Sequence, residues 1–246
     1  MQSHSTGIRN LKFDEYKEIK IVIPPLQEQQ RIVAILDEAF PAIATVRANT
    51  ERNLRNAHAL FESYLHEVFS KRGEGWFKTS IGDQLTLQRG FDITKEQQRE
   101  GNVPVVSSGG IKSFHDTYMA KGPGVVVGRK GTLGKTYYVE TDYWPHDTTL
   151  WVKDFKGNEP RLVYYLLSGL DLKKLDTGTA NPALNRNLVH PIKIWWPSIG
   201  QQTTLVKRFD LLSKETQHLE SLYQRKLAAL DELKQSLLRK AFSGAL

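Results

Sequence analysis

Cysteine is absent from the 246 residues, so no disulfide framework holds the fold and no thiolate can ligate a metal. Long hydrophobic runs are missing too. None approaches the ~20 residues that span a bilayer, and the opening Met1-Gln2-Ser3-His4-Ser5-Thr6-Gly7 has no apolar core of the secretory kind. A cytoplasmic address is the expectation. Hydrophobic residues at 39% and charged residues at 25% remain ordinary for a globular protein large enough to bury a core.

The constellations of common enzymes are missing as well. Gly128-Arg129-Lys130-Gly131-Thr132-Leu133-Gly134-Lys135-Thr136 invites comparison with a phosphate-binding loop. That motif needs its first glycine at position 129, which is arginine, and a helix after the Gly-Lys-Thr. Here a strand-like Tyr137-Tyr138-Val139 follows. Asn181-Pro182-Ala183-Leu184 lacks the second proline and the aromatic residue with which adenine methyltransferases hold a flipped base, and it reads as a turn. No glycine-rich cofactor loop links a strand to a helix. The histidines (His4, His58, His66, His115, His146, His190 and His218) are scattered, without metal-ligand spacing. Asp142 and Asp147 flank Trp144 without a Glu-x-Lys partner, and they read as turn and loop residues.

What is present is positive charge, a net +7 with a pI near 9.4, which favours a polyanionic partner, nucleic acid before membrane. There is also a repeat. Residue n laid over residue n+173 aligns Ile19–Ser70 with Ile192–Ser243 without a gap, with fourteen of 52 positions identical. Among them are Pro24 over Pro197, Gln29 over Gln202, Asp37 over Asp210, Leu65 over Leu238 and Phe69-Ser70 over Phe242-Ser243. Each copy opens with a strand-like run, Ile19–Ile23 or Ile192–Trp196, that ends at proline. Helix follows. In the second copy Leu205, Phe209, Leu212, Thr216, Leu219 and Tyr223 alternate steps of four and three. The pattern resumes at Leu227, Leu230, Leu233 and Leu237 after a four-residue stutter. The first copy gives Ile43, Val46, Thr50, Leu54, Ala57, Phe61, Tyr64 and Val68, and its Pro41 is expected to divide a short leading helix from a long one. A single-striped helix is marginal in water, and the natural partner is the other copy.

Between the copies, residues 71–191 change character. Glycine-rich turns separate β-like runs at Val103–Val106, Val125–Val127, Thr136–Val139 and Thr149–Val152, and Arg161–Leu170 reads as helix. The expected fold is α+β: a strand-rich mixed α/β domain plus two long antiparallel coiled-coil-like helices.

Pro24-Pro25-Leu26-Gln27-Glu28-Gln29-Gln30 resembles the Pro-Leu-x-Glu-Gln opening of the conserved regions of type I restriction-modification specificity subunits. Ile81-Gly82-Asp83, the Pro123–Lys135 run and Trp144-Pro145-His146-Asp147-Thr148-Thr149 are similar to segments of that family's target-recognition domains. The family alternates two recognition domains with two helical regions. This chain matches with one recognition domain, 71–191, between helical regions 19–70 and 192–246, while residues 1–18 resemble the tail of another recognition domain. Its second helical copy is looser, with Ser198-Ile199-Gly200-Gln201-Gln202 at the motif.

The resemblance implies a prokaryotic, non-catalytic subunit that reads double-stranded DNA. Its partners would be methyltransferase (M) and restriction/motor (R) subunits, which hold adenosylmethionine, ATP and magnesium; none of these cofactors is expected in this chain. The helices would set a spacing, dock those partners and offer a surface for self-association. Residue chemistry nominates DNA contacts in three segments: Arg129, Lys130, Thr132 and Lys135; Ser107, Ser108, Lys112 and His115 in a presumed loop; and Asn181, Asn185 and Arg186. The competing readings are a self-contained methyltransferase or nuclease, and a coiled-coil scaffold for protein binding. The purified chain is expected to show neither methyl transfer from adenosylmethionine nor Mg²⁺-dependent cleavage. Turnover that disappears on substituting one of its own residues would overturn this.

Overall fold

A computed structural model describes residues 12–19, 23–175 and 183–246, the side chain of His58 excepted, and the backbone of 2–3 and 9–10. Strands β1 (Gln2–Ser3) and β2 (Arg9–Asn10) pair antiparallel and precede helix α1 (Phe13–Lys17). Helix α2 (Leu26–Ser70) is followed by β3 (Phe77–Ser80), α3 (Ile81–Gln84) and β4 (Thr86–Arg89). A hairpin of β5 (Val103–Ser107) and β6 (Gly110–His115) leads to β7 (Gly124–Gly128), β8 (Thr136–Val139), β9 (Trp144–Pro145) and β10 (Thr149–Asp154). Helix α4 (Pro160–Ser168), a 3-10 turn at Leu172–Leu175 and helix α5 (Arg186–Val189) come before β11 (Lys193–Trp196) and α6 (Ile199–Ser243). The four central β-runs and the α4 helix expected from sequence are all present. Of the first strand-like run, residues 20–22 lie outside the described residues.

The chain divides into two compact units, Met1–Leu54 with Ser221–Leu246, and Arg55–Glu220. In the first, α2 and α6 run antiparallel. Arg47 pairs with Asp231, Lys234 lies over the Phe40 ring at 5.5 Å, and the Arg31 guanidinium donates to the Leu246 carbonyl at 2.6 Å. Helix α2 passes through Pro41 without a break, which corrects the expected division. An internal proline costs about 3 kcal/mol through a lost hydrogen bond and a clash, and a 45-residue helix with a packed stripe outweighs that. The stripes are also more regular than the apolar residues suggested. Val46, Leu219 and Leu233 are exposed. Arg47 and Glu220, which are repeat equivalents, take the half-buried seam positions instead. With Glu220 included, α6 steps through Phe209, Ser213, Thr216, Glu220, Tyr223, Leu227 and Leu230 without a stutter.

The second unit is layered. A four-stranded antiparallel sheet, β4-β10-β7-β8, occupies its centre. Side chains alternate across a strand, so Val125 and Val127 of β7, with Leu150 and Val152 of β10, face one core. That core contains Leu162, Val163 and Leu166 of α4, Leu65 and Phe69 of α2, and Phe209 of α6. Val126 and Trp151 face the other way, against Val106, Ala120, Val139 and Tyr143. Strand β7 is buried on both faces, which explains its uninterrupted valines. Two smaller sheets, β6-β5-β9 and β11-β3, complete the unit. Among the described residues no helix is long and apolar enough to cross a membrane.

Helix α6 enters this unit through a satisfied polar cluster. The buried Gln202 amide donates to Asn158 Oδ1 at 2.7 Å, its oxygen accepts the Glu159 N–H at 2.8 Å, and the Trp196 indole N–H reaches the same Asn158 oxygen at 2.8 Å. About two turns on, Asp210 accepts from Arg161 Nε at 3.0 Å and from the Tyr165 hydroxyl at 2.5 Å. Burial, together with the hydrogen bond to Asp210, pushes the Tyr165 phenol pKa upward and keeps it a donor. Phe69 stacks on Trp196 at 5.9 Å and packs against Phe209 at 5.8 Å. Its repeat equivalent Phe242 has no such surroundings, being 84% exposed where Phe69 is 3% exposed. Phe69→Ala should therefore cost about 3–5 kcal/mol of stability. Phe242→Ala should stay within about 0.5 kcal/mol. Denaturant unfolding of both variants measures this, and equal losses would contradict it.

Candidate nucleic-acid interface

The glycine-rich segment forms the connection between β7 and β8 in the Arg55–Glu220 unit. It is closed by Gly128 N–H to Lys135 O and Gly134 N–H to Gly128 O, both at 2.8 Å. The loop folds so tightly that a Cβ at Gly128 would stand 1.9 Å from the Thr132 carbonyl oxygen, and Gly131 adopts φ of 75°. Both positions need glycine. The amides of Arg129 and Lys130 donate to the Thr148 carbonyl at 2.8 and 3.0 Å.

Thr148 gathers the other segments as well. Its hydroxyl accepts the Ser108 N–H at 3.3 Å, and the Ser108 carbonyl accepts the Tyr137 hydroxyl at 3.0 Å. The Arg129 carbonyl accepts Leu184 N–H at 2.9 Å, and Lys130 bridges Ala183. Asn185 then caps α5, its side-chain oxygen accepting Asn187 N–H at 2.9 Å. The Ser107-Ser108 turn, the 129–135 loop and the start of α5 therefore share one region around Asp147-Thr148, although they lie far apart in sequence.

The nominated residues are placed unequally. Lys130, Thr132, Lys135 and Arg186 are exposed, and Arg129 is half-buried with Nη1 on the Asp147 carbonyl at 3.3 Å. Lys135 lies over the Tyr137 ring at 5.4 Å. It also lines a cleft of about 720 Å³ with Thr132, Lys173, Lys174 and Tyr164. Asn181 lies outside the described residues. The presumed loop at Ser107–His115 is a hairpin, which corrects that expectation. The Ser107 hydroxyl is used within its turn, donating to Gly110 O at 3.0 Å, while Lys112 projects from β6 exposed. His115 does not join the group: it is buried, its Nδ1 accepts Arg99 N–H at 3.0 Å, and its ring packs on Trp144. Beside it the Arg99 guanidinium holds the Asp116 carboxyl down at about 2.

Two residues of this region escaped the sequence reading. Arg89, at the end of β4, sends Nη2 to Asp147 Oδ2 at 3.0 Å. Asp147, read as a loop residue, is the acceptor for both Arg89 and Arg129. Nothing local marks Arg89, a lone basic residue in a strand with no apolar run. Only the 58-residue separation closed by the fold reveals it.

The sequence model of the type I restriction modification DNA specificity domain matches residues 1–52 and 73–227. The chain belongs to this family. Among relatives of the specificity-domain chain, a Mycoplasma pneumoniae protein described as a type I specificity subunit is 21% identical over 228 residues, covering 85% of this chain and 67% of the relative. A chain from a structure of type I R-M system complex assembly superposes with a TM-score of 0.79 at 20% identity, over 92% of this chain and 62% of that one. The HsdS subunit from Thermoanaerobacter tengcongensis gives 0.60 at 19% identity, over all of this chain and 65% of that one. The S subunit from M. genitalium gives 0.54 at 21%, over 98% and 67%. The specificity-domain chain thus spans about two thirds of the length of its relatives, and it shares their fold of long helices with mixed sheets.

In this specificity-domain chain α5 is tied back to β4 through His190, whose Nε2 accepts the Leu87 N–H at 3.0 Å. Partial burial, then Arg186 and Lys156, hold its pKa below the usual imidazole value. The unfolded chain therefore takes up this proton first as pH falls. The resulting stability is complete above about pH 6.5 and is lost as pH drops through the folded value. The stability difference between wild type and His190→Gln should shrink across that window in denaturant titrations. A pH-independent difference would refute the assignment.

Proposed function

We propose that this chain is a sequence-reading specificity subunit, or the larger part of one, that binds double-stranded DNA and directs adenine methylation and ATP-dependent restriction by partner subunits. Segment 71–191 is the recognition domain, 19–70 and 192–246 are the helical regions that dock the methyltransferase and motor subunits, and 1–18 belongs to a further recognition domain. The chemistry, with adenosylmethionine, ATP and magnesium, resides in the partners.

One observation carries this reading. Three polar segments, two of them glycine-bearing, are drawn together around Asp147-Thr148 into a region that displays Arg89, Arg129, Lys130 and Arg186. Exposed lysine supplies phosphate neutralisation, and guanidinium supplies paired donors for a guanine edge. A rigid β-scaffold beneath the loops holds both in place. Methylome sequencing of source cells with the gene intact and deleted tests the reading. Loss of a sequence-defined adenine mark is expected, and an unchanged methylome would reject it.

Loop chemistry makes a finer prediction. Lys130 has no ion-pair partner among the described residues, so Lys130→Ala should weaken binding to all duplexes alike and lower the salt slope by about one unit. Arg129→Ala should instead relax the preference at one base pair, worth ~1–3 kcal/mol. Titrations of target and scrambled duplexes at several salt concentrations separate these outcomes. Unchanged affinity and slope in both variants would remove the loop from the interface.

A further inference from the structure

The proposed interface contains a carboxylate in a place that should repel phosphate. Asp147 is only 15% exposed, and its carboxylate lies 3.0 Å from Arg89 Nη2 and 3.0 Å from His146 Nδ1. Asp92 Oδ2 stands 3.7 Å from the same Arg89 nitrogen. The backbone enforces this meeting. Gly90 N–H donates to Thr149 O at 3.0 Å and Phe91 N–H to Pro145 O at 2.8 Å, so the end of β4 lies directly against residues 145–149. A Cβ at Gly90 would stand 2.1 Å from the His146 carbonyl oxygen, so only glycine allows the approach.

Two properties of Arg89 follow. Its charge is offset chiefly by the sheltered Asp147 carboxylate at 3.0 Å, with the exposed Asp92 at 3.7 Å adding little, so its attraction for a phosphate is reduced. Its donors are not exhausted. A guanidinium carries five N–H groups, and this one is 51% exposed, with only Nη2 engaged among the described residues. A partly neutralised, oriented guanidinium with a free fork is less suited to neutralising phosphate and well suited to directional recognition. Paired acceptors of the right spacing on a nucleic acid are O6 and N7 of guanine in the major groove.

We propose that Arg89 reads a guanine, and that Asp147 is the positioning residue that aims its fork. This rests on the DNA-binding reading above. It divides the labour of the region: Lys130 supplies affinity, while Arg89, fixed by Asp147, supplies discrimination.

The test uses the whole chain. A randomised duplex pool first defines the wild-type preference. Affinities of wild type, Arg89→Ala, Arg89→Lys and Asp147→Asn are then measured on the best duplex and on its single-base-pair variants, at several salt concentrations. Both Arg89 variants should lose roughly 10- to 100-fold of preference at a single G·C pair. Preferences elsewhere should hold, and the salt slope should change by well under one unit. Arg89→Lys keeps the charge and loses the fork, so it should not rescue. Asp147→Asn should weaken preference at that same pair, which a merely structural loss would not single out. Thermal unfolding identifies any variant that fails to fold, and Arg89→Lys, the milder change, then decides. Full preference at every pair in both Arg89 variants overturns the proposal. So does rescue by lysine, or a uniform loss with a slope lowered by one, which would make Arg89 a phosphate contact. If wild type prefers no duplex sequence, the DNA-reading assignment falls and this inference with it.

Discussion

Two helices of 45 residues, each with a single apolar stripe, cannot stand in water unless the stripes meet. That requirement organises the molecule. The sequence meets it by using one element twice, and antiparallel pairing lets each copy cover the other. The stretch between the copies is then free to fold as a sheet domain that borrows Leu65, Phe69 and Phe209 from the helices for its own core. The 107–110 turn and the 129–135 loop therefore rest on a packed base without needing a large core of their own.

The loops show why polar segments of low complexity can still be rigid. Each turn is fastened by backbone groups to residues far away, chiefly to Thr148, which serves the amides of Arg129, Lys130 and Ser108. Backbone fastening leaves side chains free to vary. Exchanging a side chain at 129 or 130 would leave the loop's own backbone hydrogen bonds intact.

What was legible in sequence followed burial. Strands β5, β7 and β10 announced themselves by apolar runs, because strands buried along most of their length need them; β8 showed itself by its β-favouring Thr136-Tyr137-Tyr138-Val139 although it is only partly buried. Strands β3, β4 and β6 did not, since Phe77-Lys78-Thr79-Ser80, Thr86-Leu87-Gln88-Arg89 and Gly110–His115 are partly exposed and mostly polar. The helices were visible from their spacing, but seam positions held by Arg47 and Glu220 were not, because a search for apolar residues skips long charged side chains that bury only their stems. For the site, the glycine-rich loop stood out by composition. The pairing of Arg89 with Asp147 is set by tertiary approach at Gly90, and His115 looked like a contact because residue type does not report burial.

The repeat equates Arg47 with Glu220, and Arg47 faces Asp231 on the opposite helix. Suppose two copies of α6 from different chains zipped together in this same antiparallel register. Glu220 would then occupy the place of Arg47 and confront Asp231, carboxylate against carboxylate, at both ends of the dimer. Like charges at such positions oppose pairing. One divergence between otherwise similar copies thus sets a direction of preference at this register: a cation on α2 meets Asp231 where a second α6 would bring another carboxylate.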